Sequence, residues 1–145
     1  APAQRGRDIV LVTLVVEQSA LDSAPRGSGL LVADGALGIR ARALTHATAK
    51  WEWLREAASG LHVLRLSYDD DPGAHVATAR ADAAALLGVE LTRASVIDAA
   101  RVAWTRPAPA SGAADAIVVG ETVAGSGLAG IVAHAETTAA NLLAS

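Results

Sequence analysis

The spacing of apolar residues changes character several times along this chain, and each change predicts an element. Asp8 to Glu17, DIVLVTLVVE, is apolar almost without interruption, the pattern of a strand covered on both faces and placed inside a sheet. Ser23 to Gly29 is turn chemistry, and Leu30 to Ala33 resumes as a short strand before a second turn at Gly35 and Gly38. Small and polar residues dominate Ile39 to Trp53, where Ile39 to Ala47 alternates faintly and Lys50 to Glu56 has the length of a helical turn. Leu61 to Tyr68 alternates cleanly, with Leu64, Leu66 and Tyr68 on one face and Leu61, Val63 and Arg65 on the other.

Asp69, Asp70 and Asp71 stand directly before Pro72-Gly73, which reads as a solvated turn and helix N-cap rather than a carboxylate site. The helix it opens, Ala74 to Leu87, presents Val76, Ala79, Ala83, Leu86 and Leu87 inward, with Gly88 placed to close it. Ser95 to Arg106 is again strand-like, Ala100, Val102 and Trp104 sharing a face. Pro107 to Ala113 is a low-complexity joint. Beyond it the pattern predicts a short buried strand at Ala116 to Gly120, then a turn carrying Gly125, Gly127 and Gly130. A helix follows, in which Leu128, Ile131, Val132, Ala135, Ala139 and Leu142 recur at helical spacing.

Composition narrows the picture. A chain of 145 residues has the length of one domain, and its core must be built from Ala, Leu and Val, because Phe, Met and Cys are absent and aromatics make up 3%. The net charge of -3 is spread along the sequence and offers no electrostatic footprint for nucleic acid. No apolar run approaches the roughly 20 residues of a bilayer-spanning helix. The expectation is a soluble, cytoplasmic chain, with peripheral contact to a membrane surface left open. Without cysteine there is no disulfide framework, thiol nucleophile or thiolate metal site. The chain opens at Ala1 with no signal-like segment, as a processed product or a fragment of something longer would.

Candidate chemistry concentrates at the C-terminal turn. Gly125-Ser126-Gly127-Leu128-Ala129-Gly130 matches G-x-G-x-x-G between a predicted strand and a predicted helix. A nicotinamide-dinucleotide site would need the first glycine at the end of the strand, yet Gly125 falls five positions beyond Gly120. It would also need an acid on a following strand about 20 residues on, and the chain stops at Ser145. Two other readings stand beside it: a cofactor-facing helix of a larger assembly, and a glycine turn that only packs helix against sheet. The four histidines, His46, His62, His75 and His134, show no ligand spacing, so no metal site is expected. Ser28 and Ser126 each sit directly between glycines, unlike the nucleophile of a G-x-S-x-G elbow, and no hydrolase chemistry is implied. Trp51 and Trp53 after Lys50 suit packing better than stacking on a planar ligand.

Three blocks in order, GSGLLVADGALGIRARALTHATAKWEW, LHVLRLSY and GETVAGSGLAGIVAHAETTAANLL, resemble the C-terminal third of protoporphyrinogen/coproporphyrinogen oxidases, members of the flavin-containing amine oxidase superfamily. The resemblance rests on Ala43, Leu44, Thr45, Lys50 and Trp51 in the first block and on Val63, Arg65, Leu66 and Ser67 in the second. It implies an α/β (mixed α+β) fold, the C-terminal portion of an FAD-linked amine oxidase fold. Such a fold has a mixed sheet, flanking helices and a closing strand–glycine turn–helix. Residues 1–106 would belong to a substrate and flavin domain, 107–114 to a junction, and 115–145 to a flavin-contacting segment.

The cofactor implied is FAD. By the resemblance, Ser126, Gly127 and Leu128 bring backbone N–H groups to the pyrimidine end of the flavin, Gly120 and Gly125 belong to the same cofactor-binding turn, Glu121 lies by the ribityl chain, and Trp104 approaches the ring. A helix N-terminus there lowers the energy of negative charge on reduced flavin. The implied activity is oxygen-dependent dehydrogenation of a porphyrinogen in haem biosynthesis, with the porphyrinogen, dioxygen and an N-terminal FAD-binding portion of the same protein as partners. No catalytic acid or base is nominated. The alternatives are another superfamily member, an amine oxidase or a desaturase-like flavoprotein, and a non-catalytic structural domain. Three departures from the family pattern stand out. The βαβ unit that holds the ADP half of FAD is absent, Ala110 to Ala114 replaces a Gly-His step and a helix, and Ser67-Tyr68-Asp69 replaces a Gly-Arg ending.

Overall fold

The computed structural model describes residues 7–69, 71–106, 116–125 and 127–144. Asp8–Thr105 forms one compact unit, and the residues from Arg106 onward belong to a second. The fold is mixed α+β.

The first unit is a five-stranded sheet in the order β2-β3-β4-β1-β5, built from β1 (Arg7–Val16), β2 (Gly29–Leu31), β3 (Ala43–His46), β4 (His62–Asp69) and β5 (Val96–Arg106). The central pair is long and antiparallel, Val10 opposite Tyr68, Val12 opposite Leu66 and Leu14 opposite Leu64. β3 pairs antiparallel with β4 and with β2, Leu44 lying opposite Leu66 and Leu30. At the other side the Glu17 N–H donates to Ser95 O at 2.9 Å, and the Thr105 hydroxyl donates to the Asp8 carboxylate. These bonds bracket an antiparallel β1–β5 pair. The sequence pattern predicts a mixed sheet; the sheet is antiparallel throughout, because β1 is inserted between β4 and β5, so the crossover through Val76–Leu87 joins two like-directed strands that are not neighbours.

One face of this sheet is the core. Val10, Val12, Leu14 and Val16 of β1, Leu64, Leu66 and Tyr68 of β4 and Leu44 of β3 are buried. They pack against Leu21, Ala41, Ala74 and Leu91 and against helix α3 (Val76–Leu87) through Ala79, Ala83 and Leu87. β4 therefore alternates as its sequence predicts. β1 is an interior strand, but it is not covered on both faces. Ile9, Leu11, Thr13 and Val15 are half-buried beside Asp69, Ser67, Arg65 and Val63, since α3 lies on the other side. The unbroken apolar run reflects cross-strand packing on that face, where the side chains are half-covered.

The helical segments refine the expectation as well. Lys50 to Glu56 resolves into two short helices, α1 (Ala47–Lys50) and α2 (Glu52–Ala58), hinged at Trp51. Lys50 Nζ lies 5.0 Å from the Trp51 ring, and Trp53 is exposed, so neither tryptophan is core. α3 begins later than Ala74 and takes His75, not an aspartate, as its N-cap, with no side-chain cap bond. Asp71 instead accepts the Gly73 N–H at 2.9 Å and pairs with Arg40, Asp69 ends β4, and Asp70 lies outside the described residues. Val76, expected inward, is 37% exposed, and Asp82 occupies the core side at 3% exposure. Its Oδ2 accepts the backbone N–H of Ala41 at 2.9 Å and of Arg40 at 3.2 Å, which ties the segment before β3 to α3. The buried Tyr68 hydroxyl lies in the same region, and burial first, then the Asp82 carboxylate, pushes its pKa up. Gly88 closes α3 in the left-handed conformation its position predicts, φ 69°. At Gly29 a side chain is excluded by contact: a Cβ would stand 2.3 Å from Leu44 O.

In the second unit Ala116 to Gly120 forms no strand. No strand pairs with it among the described residues, and Ile117 and Val119 are exposed, so the β-branched run has no ladder to join. α4 (Glu121–Ala124) and α5 (Leu128–Leu143) follow, the latter at the predicted position. No residue of α5 is buried. Ile131, His134, Ala135 and Thr138 form a half-covered stripe, while Leu128 is 82% exposed.

Candidate functional site

The glycine turn before α5 is built from backbone conformations that side chains resist. Gly120, Gly125 and Gly127 have φ of 112°, 77° and 129°. Gly120 is the N-cap of α4, its carbonyl accepting the Ala124 N–H at 2.9 Å. Glu121 opens that helix, its own carbonyl accepting the Gly125 N–H at 3.1 Å. The first bond within α5 runs from Ile131 N–H to Gly127 O at 3.1 Å, so the N–H groups of Leu128, Ala129 and Gly130 lie ahead of it at the positive end of the helix dipole. A Cβ added at Gly125 or Gly127 would meet no atom within 4 Å. Conformation requires these glycines, and the space in front of them is open.

Of the residues the sequence nominates for a flavin, Gly120, Glu121, Gly125, Gly127 and Leu128 share this turn, and Ser126 lies outside the described residues. Trp104 belongs to the sheet unit. It sits near the end of β5, 53% exposed, and lines a shallow depression with Asp8, Asp71, Pro72 and Arg101.

A second constellation escapes the sequence reading altogether. His46 Nε2 stands 3.1 Å from His62 Nδ1, and His62 Nε2 stands 3.0 Å from Asp22 Oδ1, a hydrogen-bonded chain across three segments. His46 ends β3 and is 1% exposed, His62 opens β4, and Asp22 follows a 3-10 turn, Ser19–Leu21. Burial first, then the neighbouring His62, pushes the His46 pKa below its ordinary value. Its Nδ1 is buried with no hydrogen-bond partner. The chain borders a cavity of about 300 Å³ that is also lined by Leu21, Thr48, Ala49, Arg55 and Leu61. Linear spacing hides the pair, sixteen positions apart. The antiparallel β3–β4 pairing, with His46 opposite Leu64, is what brings His62 alongside.

Among the described residues no group of three or more His, Cys, Asp or Glu side chains is arranged to hold a metal ion, and no helix is long and apolar enough to cross a membrane. No protein-family model, curated protein or solved structure matches the chain.

Proposed function

We propose that this chain is the C-terminal part of an FAD-dependent, oxygen-dependent porphyrinogen oxidase, with α5 and its glycine turn set against the flavin. The carrying observation is the conformation of Gly120, Gly125 and Gly127 directly ahead of a 16-residue helix. Such a turn suits an electron-rich ring edge: the N–H groups of Leu128, Ala129 and Gly130 precede the first helical bond, and Gly125 and Gly127 carry no Cβ. The residues present therefore fit the pyrimidine end of a flavin. The order of the three sequence blocks supports the same reading.

When bound, FAD supplies hydride acceptance from the porphyrinogen and reoxidation by dioxygen. The part of this chain is electrostatic and positional. The N-terminus of α5 lowers the energy of negative charge developing opposite it, and Gly125 and Gly127 let the backbone approach without side-chain obstruction. Trp104, exposed on β5, is an aromatic surface for a planar partner. The test is reassembly. The chain is mixed with the N-terminal FAD-binding portion of a porphyrinogen oxidase, the complex is desalted, and its flavin absorbance is read. Retained yellow cofactor is expected, and a colourless complex overturns the proposal.

A further inference from the structure

The sheet ends at β5. One side of that strand is occupied by β1, and among the described residues no strand pairs with the other, so alternate residues along it turn backbone N–H and C=O groups outward. Edge strands are commonly blunted by proline, lysine or brevity. β5 is 11 residues long, holds neither proline nor lysine, and leaves Ile97, Val102 and Trp104 more than half exposed. A groove of about 730 Å³ lies between this strand and α3, lined by residues 96–99 of the strand, by Val76, Ala77 and Arg80 of the helix, and by Arg93. Neighbouring side chains of a strand point to opposite faces, so a groove that meets four consecutive residues also meets the backbone.

What fills such a place is an extended chain, because only a strand matches a row of outward backbone groups at strand spacing. The other pairings in this sheet are antiparallel, the more stable arrangement per residue. A strand added antiparallel to β5 runs from its Arg106 end to its Val96 end, and so finishes beside Arg93, whose carbonyl accepts the Val96 N–H at 3.3 Å. Arg80 belongs to the same end of the groove, its Nη1 donating to Leu91 O. The Arg93 side chain is exposed and makes no hydrogen bond or ion pair among the described residues. Asp98, the acid in the lining, lies further along the strand and accepts the Ala99 N–H at 2.8 Å. Two guanidinium groups where an antiparallel strand would finish are a recognition site for a terminal carboxylate. We infer that the β5 edge takes up the C-terminal segment of a partner protein as an added antiparallel strand, its carboxylate held by Arg80 and Arg93 and its apolar side chains laid against Val76 and Ile97. The site lies wholly within the sheet unit and is independent of the flavin reading.

The probe is an acetylated Thr-Val-Thr-Val-Val peptide with a free C-terminal carboxylate, titrated into the nitrogen-labelled full chain. Amide shifts should concentrate in β5 and at Arg93, and hydrogen exchange of the outward β5 amides should slow on saturation. Replacing the carboxylate by a carboxamide should weaken binding about tenfold. Arg93→Ala, at an exposed position, should leave folding unchanged, weaken the acid peptide severalfold and leave the carboxamide peptide as it was. Methylating alternate peptide nitrogens should abolish binding, since it removes the donors to β5. Absence of binding at millimolar peptide, shifts confined to residues outside the groove, or equal affinity for acid and carboxamide would each overturn the inference. So would a peptide-free chain that sediments as a dimer with its β5 amides already protected, which would give the edge to a second copy.

Discussion

The two units of this molecule use the same alanine-, leucine- and valine-rich vocabulary to opposite ends. In the sheet unit Val12, Leu14, Leu64 and Leu66 are fully buried against α3, whereas in the second unit the leucines of α5 stay exposed. A helix of 16 residues with an apolar stripe and nothing buried gains little from tertiary packing within its own unit. The difference teaches that the sheet holds itself together, while the glycine turn and α5 present their chemistry outward.

The sharpest way to break that comparison is paired truncation. Leu64→Ala removes a fully buried side chain between β1 and β3 and should cost about 2–5 kcal/mol in urea denaturation. Leu128→Ala, at an 82% exposed position, should stay within about 0.5 kcal/mol. Equal losses would show that α5 is as integral to folding as the sheet.

A smaller effect is expected from Asp82→Ala. It strands the Arg40 and Ala41 N–H groups without their acceptor, the latter within the buried part of the structure, and should cost about 1–3 kcal/mol. Asp82→Asn keeps an acceptor oxygen and should recover part of the loss. A neutral Asp82→Ala would mean that the 40–41 segment does not depend on α3 for its place.

Asp82 also marks where sequence ceased to inform. Strand periods were legible: β4 shows its buried face as Leu64, Leu66 and Tyr68, and Gly88 announces the end of α3. Those signals are local. Asp82 reads as a polar position on a helix, yet it is buried because its partners lie about forty positions away on the backbone before β3. His46 and His62 are hidden for the same reason, since their meeting is a property of β-pairing. Ala116 to Gly120 fails in the opposite direction: its side chains are those of a buried strand, but strand formation needs a neighbour that local sequence cannot supply. In the glycine turn, Gly125 and Gly127 were legible as special backbone, which is what a single residue can signal alone.

The histidine chain gives the sheet unit a pH response. Because His46 has a folded pKa below its unfolded value near 6.5, the unfolded chain binds more protons as pH falls through that value. Stability from this group is therefore fully present above that pH and is lost as pH falls toward the folded pKa. One-proton linkage bounds the slope at about 1.4 kcal/mol per pH unit. Thermal melts across this window should show a midpoint falling with pH, and His46→Gln should flatten the curve. A midpoint that rises on acidification would mean that His46 gains, rather than loses, stabilising contacts when protonated.

The smallest effect on the sheet unit, and the most telling for function, belongs to Gly127→Val. A Cβ there meets no atom within 4 Å, so any cost is local to a φ of 129° at the head of α5. The sheet unit's unfolding midpoint should stay where it is. In the complex with an N-terminal FAD-binding portion, by contrast, the branched side chain would fill the open space ahead of the Leu128 and Ala129 N–H groups, and flavin absorbance after desalting should drop. Gly27→Val is the control, since Gly27 also has a positive φ, 60°, and open surroundings in a turn of the other unit. If both variants retain flavin equally, the open space before α5 faces no cofactor, and the glycines serve only to turn the chain.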